Sequence, residues 1–161
     1  VRAPEVSFQT PDGGDVTTSQ LVAGSNGLPV LLVFFKTSCP TCKLSWPYLQ
    51  KLHAAYGGKS VRVVGVAQDP AEAARAFSAE FGGATFELVV DAPPYPASNA
   101  FHVESVPHLS LLSPVGALEN LYEGWSKDSI EALGARLAAM KGLAPAELVA
   151  PGDPVAPFKP G

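Results

Sequence analysis

The chain has 161 residues, 47% of them hydrophobic and 16% charged, which suits one folded domain able to bury a core and excludes a disordered tract. A net charge of −4 and a pI of about 5.3 leave no basic face for nucleic acid or anionic lipid. No apolar run approaches the ~20 residues that a membrane span needs. No charged-then-apolar leader is visible, so no signal peptide is expected. Two cysteines do not fix a compartment, and the start at Val1 is compatible with trimming, so cytoplasm and periplasm both stay open.

In chain order, Val6 to Thr10 alternates at period two and meets the turn cluster Pro11-Asp12-Gly13-Gly14. Asp15-Val16-Thr17 can return, so residues 5–17 read as a hairpin, with Ser19 capping a short turn through Ala23. Leu28 to Phe35 is apolar without alternation, the pattern of a strand covered on both faces.

The only two cysteines follow, in Lys36-Thr37-Ser38-Cys39-Pro40-Thr41-Cys42-Lys43. A helix begins here, with Pro40 suited to its first position because the missing N–H costs nothing there. Thiols at i and i+3 can close a disulfide within that turn. The helix start supplies Cys39 with unpaired N–H groups and positive dipole, which lower a thiol pKa. Cys39 is therefore the candidate nucleophile and Cys42 the resolving thiol. Leu44, Tyr48, Leu49 and Leu52 should face the sheet, with Lys43, Gln50 and Lys51 outward. Pro47 should kink the helix, which Gly57-Gly58 ends.

Val61 to Ala67 is the next strand. Asp69-Pro70-Ala71-Glu72 predicts a helix start capped by Asp69, with an apolar stripe of Ala73, Ala74, Phe77 and Phe81 and a stop at Gly82-Gly83. Phe86 to Val90 continues a parallel β–α series. A proline-rich loop, 91–98, then leads to a short helix around Asn99 to Phe101. Beyond Val106-Pro107, strands at His108 to Leu112 and Ala117 to Glu123 form a hairpin. Ser126 should cap a last helix over 127–141, with Ile130, Leu133 and Leu137 inward. Residues 143–161 carry five prolines and no helical period and read as an extended surface tail.

Cys39-Pro40-Thr41-Cys42-Lys43 followed by Pro47 resembles a thioredoxin active-site helix, and Val106-Pro107 resembles the cis-proline turn that faces the dithiol in that fold. The spacing from Cys39 to Pro107 leaves room for one β–α unit more than plain thioredoxin has. With the N-terminal hairpin, this is similar to the TlpA/ResA-type branch and the wider redoxin (AhpC/TSA-like) group, over residues 4–141. The resemblance implies a thioredoxin-like three-layer α/β/α sandwich with a mixed central sheet, an N-terminal hairpin and one inserted β–α unit. Residues 1–142 would be that domain and 143–161 a tail. It implies a thiol–disulfide oxidoreductase without metal or organic cofactor. Its partners would be a protein substrate carrying a disulfide or dithiol and a redox partner that resets the pair. Val106 and Pro107 would bind the substrate peptide.

Several positions depart from the family pattern. The buried acid expected six residues before the first cysteine is Val33 here. Asp69 falls near the place where TlpA/ResA-type proteins can put an acid, so it is either a proton relay or only a helix cap. Lys36 either favours the Cys39 thiolate or is merely solvated. His108, next to Pro107, either tunes the site or points away. Ser38 replaces the usual tryptophan and should open the site, and Pro40-Thr41 puts proline first in the dipeptide, which shifts the reduction potential.

Two other readings remain. A peroxiredoxin-like thiol peroxidase would oxidise Cys39 to a sulfenic acid, but its signature proline and threonine positions are Leu32 and Lys36 here. A Sco-type copper protein would need His102 or His108 as a third ligand and usually has three residues between its cysteines. Zinc fits poorly, since it wants four ligands.

Overall fold

The computed structural model describes residues 1–83 and 86–161. Strands β1 (Ser7–Gln9) and β2 (Asp15–Thr17) form the N-terminal hairpin, followed by α1 (Thr18–Ala23). Thr17, rather than Ser19, caps α1: its hydroxyl accepts from the Gln20 N–H while the Gln20 side chain accepts from the Thr17 N–H. That reciprocal box satisfies two helix-start donors, and Ser19 lies too far inside to do so.

Then follow β3 (Val30–Phe35), α2 (Pro40–Tyr56), β4 (Arg62–Ala67), α3 (Ala71–Gly82), β5 (Glu87–Val90) and α4 (Pro96–Ala100). The short helix α4 therefore starts earlier than its loop composition indicates, with Pro96 at the first position. The chain continues through β6 (His108–Leu112), β7 (Leu118–Glu123), β8 (Trp125–Ser126), α5 (Lys127–Met140) and β9 (Phe158–Lys159). Ser126 caps α5 by accepting from the Ser129 N–H.

The main sheet has the order β2-β1-β5-β4-β3-β6-β7. Strands β3, β4 and β5 run parallel, whereas β6 pairs antiparallel with β3, β7 with β6, and β1 with β5. Every residue of β3 is buried, as expected of a strand covered on both faces. Its last two side chains show the two layers. Phe35 packs on Trp46 of α2 and Phe77 of α3, whereas Phe34 packs on Phe101, just after α4, and on His108. Helix α2 touches both α3 and α5.

Helix α2 is more buried than an amphipathic surface helix. Gln50, expected outward, is buried because Gly82 of α3 lies directly against it; a Cβ there would meet Gln50 Cγ at 2.5 Å. Trp46 is fully buried and donates its indole N–H to Ser78 Oγ at 3.1 Å. Ser78 thus belongs to the inner face of α3, whereas Ala73 is exposed. The helix runs through exposed Pro47 without interruption. Gly83 ends α3 with φ of 90°, a left-handed cap that glycine adopts without strain.

Residues after Gly142 contain no helix, but they do more than lie on the surface. Leu148 and Val149 are buried, with Leu148 against Gly134 of α5. Tyr56 accepts from the Ala146 N–H, Tyr48 donates to Asp153, and the Trp125 indole donates to the Ala156 carbonyl at 2.7 Å. Strand β9 then pairs antiparallel with β8. Apolar contacts and buried donors satisfied by carbonyls, features without periodicity, hold this segment down.

Candidate active site

The dithiol sits where β3 gives way to α2. Cys39 is the N-cap residue, Pro40 and Thr41 occupy the first two helical positions, and Cys42 completes the first turn. Both thiols are free in this structure. Cys39 Sγ accepts from the Cys42 N–H at 3.1 Å, which is the N-cap bond made by sulfur instead of oxygen. Its thiol is also 3.4 Å from the Val106 carbonyl, to which it donates. Cys42 is completely buried, and Cys39 is only 9% exposed.

The two sulfurs are driven apart in acidity. The Cys42 thiol hydrogen-bonds to Cys39, and this lowers Cys39 against the opposing cost of burial. The Cys42 and Thr41 backbone N–H groups and the Lys159 charge help, and the result is about 6. Burial comes first among the causes that raise Cys42, followed by its hydrogen bond to Cys39 and by the charges of Cys39 and Asp69. A backbone hydrogen bond at Lys36 opposes that rise. A first sulfur made acidic beside a second that burial keeps protonated is the division of labour that disulfide exchange needs.

The peptide bond Val106-Pro107 is cis, and Val106 faces Cys39 through its carbonyl. Strand β6 starts at the next residue, so the sheet fixes this turn beside α2. Behind the turn lies a polar chain. His108 is buried, with Nδ1 3.0 Å from Glu123 Oε1 and Nε2 2.9 Å from Ser110 Oγ. Ser105 donates to Glu123 Oε2 at 2.9 Å, and Gly124 N–H donates to the Pro107 carbonyl at 2.8 Å. His108 therefore points away from the thiols and ties the cis-proline turn to β7.

Two predicted site residues have other contacts. Asp69 does not cap α3: Pro70 is the N-cap residue, and no side chain bonds the helix start. Its carboxylate instead accepts from the Thr37 N–H at 2.8 Å, in the loop just ahead of Cys39. Proline at the cap turns Asp69 out of the helix and toward the end of β3. The Lys36 side chain is exposed, and the cation acting on Cys39 is Lys159, which adjacency in sequence could not reveal. Thr41 is buried and donates from Oγ1 to the Pro160 carbonyl at 2.7 Å. Nothing in the sequence around Thr41 signals that bond, since 119 residues separate the partners.

Among the described residues, no group of three His, Cys, Asp or Glu side chains is placed to hold a metal ion. No described helix is long and apolar enough to cross a membrane.

Fold and site together define a class, the thioredoxin-like oxidoreductases with a CxxC dithiol at a helix start. The chain belongs to the AhpC/TSA family, whose model matches residues 1–120. Over 71 residues it is 38% identical to the thiol-disulfide oxidoreductase ResA of Oceanobacillus iheyensis, a match covering 44% of this chain and 36% of that protein. The structure superposes on DsbF of MTB, in its mixed oxidized and reduced forms, with a TM-score of 0.69 and 27% identity. That match covers 86% of this chain and 98% of the other. The provisionally named thiol:disulfide interchange protein DsbE from Chlorobium tepidum gives 0.71 and 25%, covering 88% and 96%. These likenesses place the chain in the TlpA/ResA-type redoxin group.

Proposed function

We propose that this chain is a thiol–disulfide oxidoreductase acting on protein disulfides, with Cys39 as nucleophile and Cys42 as resolving thiol. The observation that carries the reading is the placement of both thiols at one helix start, Cys39 Sγ accepting the Cys42 N–H at 3.1 Å and lying 3.4 Å from the carbonyl of the cis Val106-Pro107 turn, with Cys39 lowered and Cys42 raised. Cys39 thiolate attacks one sulfur of a substrate disulfide, whose S–S bond breaks as the other sulfur leaves as a thiolate and takes up a proton. The mixed disulfide lies beside Val106-Pro107. Cys42 then loses its proton and attacks Cys39 Sγ, releasing the second substrate sulfur as a thiolate. The substrate gains two electrons, and Cys39 and Cys42 are oxidised to a disulfide. An external dithiol partner returns the pair to the reduced form, and the same steps run backwards oxidise a substrate dithiol. In this scheme Pro40 sets the helix start, Asp69 holds the loop ahead of Cys39 and takes the Cys42 proton, and Val106 and Pro107 receive the substrate segment.

The test is a redox titration in defined thiol/disulfide buffers, read by mass after alkylation, on the wild-type chain and on Cys42→Ser. A single two-electron transition in the wild type, and a trapped mixed disulfide on Cys39 in Cys42→Ser, are expected. A folded protein that never forms the internal disulfide overturns the reading.

A further inference from the structure

The last five residues, Pro157 to Gly161, lie across the site just described. Lys127 N–H donates to the Pro157 carbonyl at 2.9 Å, Phe158 and Lys159 pair with Ser126 and Trp125, and Pro160 accepts the Thr41 hydroxyl at 2.7 Å. Gly161 ends against the cis-proline turn: a Cβ on it would meet the Val106 carbonyl oxygen at 2.3 Å and Ser105 Oγ at 3.0 Å. A Cβ on Gly124 would likewise meet the Lys159 carbonyl at 2.6 Å. Backbone thus approaches backbone on both sides of the strip, and neither glycine can be replaced without moving the segment.

This strip is the one an incoming disulfide must cross. Exchange requires the attacked S–S bond to line up with Cys39 Sγ, yet Cys39 is only 9% exposed. An extended peptide beside Val106 would occupy the place of Gly161 and compete for the β8 edge that β9 fills, by the strand-addition mode that extended ligands commonly use.

The hold on the segment is uneven. As far as Ala156 it is anchored by buried Leu148 and Val149 and by the Trp125 indole. Beyond Ala156 it keeps the Lys127 bond to Pro157, a two-residue ladder and the Thr41 bond, and its one large apolar side chain, Phe158, is 62% exposed. Few buried contacts and exposed backbone hydrogen bonds are what local opening requires. Opening at residues 156–157 would break only these bonds and leave the buried anchors in place.

We propose that residues 157–161 are an autoinhibitory strap, an internal stand-in for an extended substrate peptide, and that protein disulfides reach Cys39 only when it swings off the β8 edge. The proposal rests on the oxidoreductase reading for the identity of the competitor.

The experiment compares the full chain with a chain ending at Ala156 and with full-length Gly161→Leu, whose side chain cannot fit against Val106. Two rates are measured at pH 8, where the Cys39 thiolate is fully formed: alkylation of reduced Cys39 by a bulky maleimide, and reduction of insulin with dithiothreitol as electron source. A strap open about 10% of the time or less, the usual range for a minor conformer, makes both rates rise about tenfold or more in both variants. A synthetic peptide of residues 155–161 added to the shortened chain should slow insulin reduction competitively. Equal rates in all three proteins overturn the strap, and Gly161→Leu decides the matter alone if the shortened chain does not fold. Faster alkylation in the variants with no insulin reduction by any protein supports the strap and overturns the oxidoreductase reading.

Discussion

The Asp69 carboxylate accepts the Thr37 backbone N–H at 2.8 Å, joining the end of β4 to the loop that ends β3. The bond fixes the approach to Cys39, and the Asp69 charge reaches the other thiol, where it adds to the effect of burial in raising Cys42. Asp69→Asn keeps an oxygen acceptor for Thr37 and removes the charge. It should leave formation of the mixed disulfide at its wild-type rate. If Asp69 takes the Cys42 proton, release of the product slows by roughly 10²-fold, the low end of what a positioned base contributes. Single-turnover quenched-flow with a labelled disulfide separates the two steps, and unchanged release would leave Asp69 as a loop anchor only. Asp69→Ala, which also loses the Thr37 bond, should slow both.

The lowered Cys39 gives pH dependence of definite sign. Its thiol is at about 6 in the folded chain against an ordinary value of 9.0. A depressed group stabilises the fold fully above its unfolded value, and the contribution disappears as pH falls to the folded value. Reduced protein should therefore lose stability between pH 9 and pH 6 relative to Cys39→Ser, which lacks that slope; Cys42, raised above the window, stays protonated throughout. Alkylation of Cys39 by iodoacetamide should follow a single titration with its midpoint near pH 6. Lys159→Gln should move that midpoint upward and Lys36→Gln should not. The reverse pattern would mean that the neighbour in sequence, not the one on the strap, supplies the charge.

Trp46, fully buried on α2, donates to Ser78 and lies 4.2 Å, centroid to centroid, from Phe35. Ser78→Ala leaves a buried indole N–H without that partner and should cost about 1–3 kcal/mol. Trp46→Phe removes the donor and retains aromatic packing, so adding Ser78→Ala to it should cost less than Ser78→Ala alone. Urea denaturation of the two single variants and the double variant measures this coupling. Strictly additive losses would show that the bond contributes nothing beyond packing.

The thiols, the helix start and the parallel series were legible because each has a local signature: CxxC with Pro40, an unbroken apolar strand, and glycines after α2, α3 and α5. The cis-proline position came only through resemblance, since nothing local distinguishes Val106-Pro107 from an ordinary X–Pro. Contacts that depend on tertiary approach left no such mark. Asp69 before proline has the composition of a cap, yet the chain direction sends its carboxylate to Thr37. Gln50 has the polarity of a surface residue, yet Gly82 lets α3 close over it. Lys159 and Pro160 meet the site from the far end of the chain, in a segment whose prolines signal extension but not where the extension lies.

Glu123 holds the cis-proline turn from behind, bonded to His108 and Ser105. Burial raises its carboxyl, but the bonds from His108 and Ser105 outweigh it and hold the group below its ordinary 4.5. The stabilisation is present above that ordinary value and lost as pH falls through the lowered one, so the turn should loosen only in acid. Glu123 is partly exposed, which screens the gain. Glu123→Ala removes the acceptor from buried His108 and from Ser105 together, and should destabilise the fold by about 1–3 kcal/mol. The groups that lower Cys39 belong to Cys42, Thr41 and Lys159 and not to this turn, so if the turn binds the substrate segment, KM for a protein disulfide should rise while the Cys39 alkylation midpoint stays near pH 6. Glu123→Gln, which retains an oxygen for one of the two bonds, should recover part of the KM. A midpoint that moved with KM would place Glu123 in the control of thiol acidity rather than of the turn.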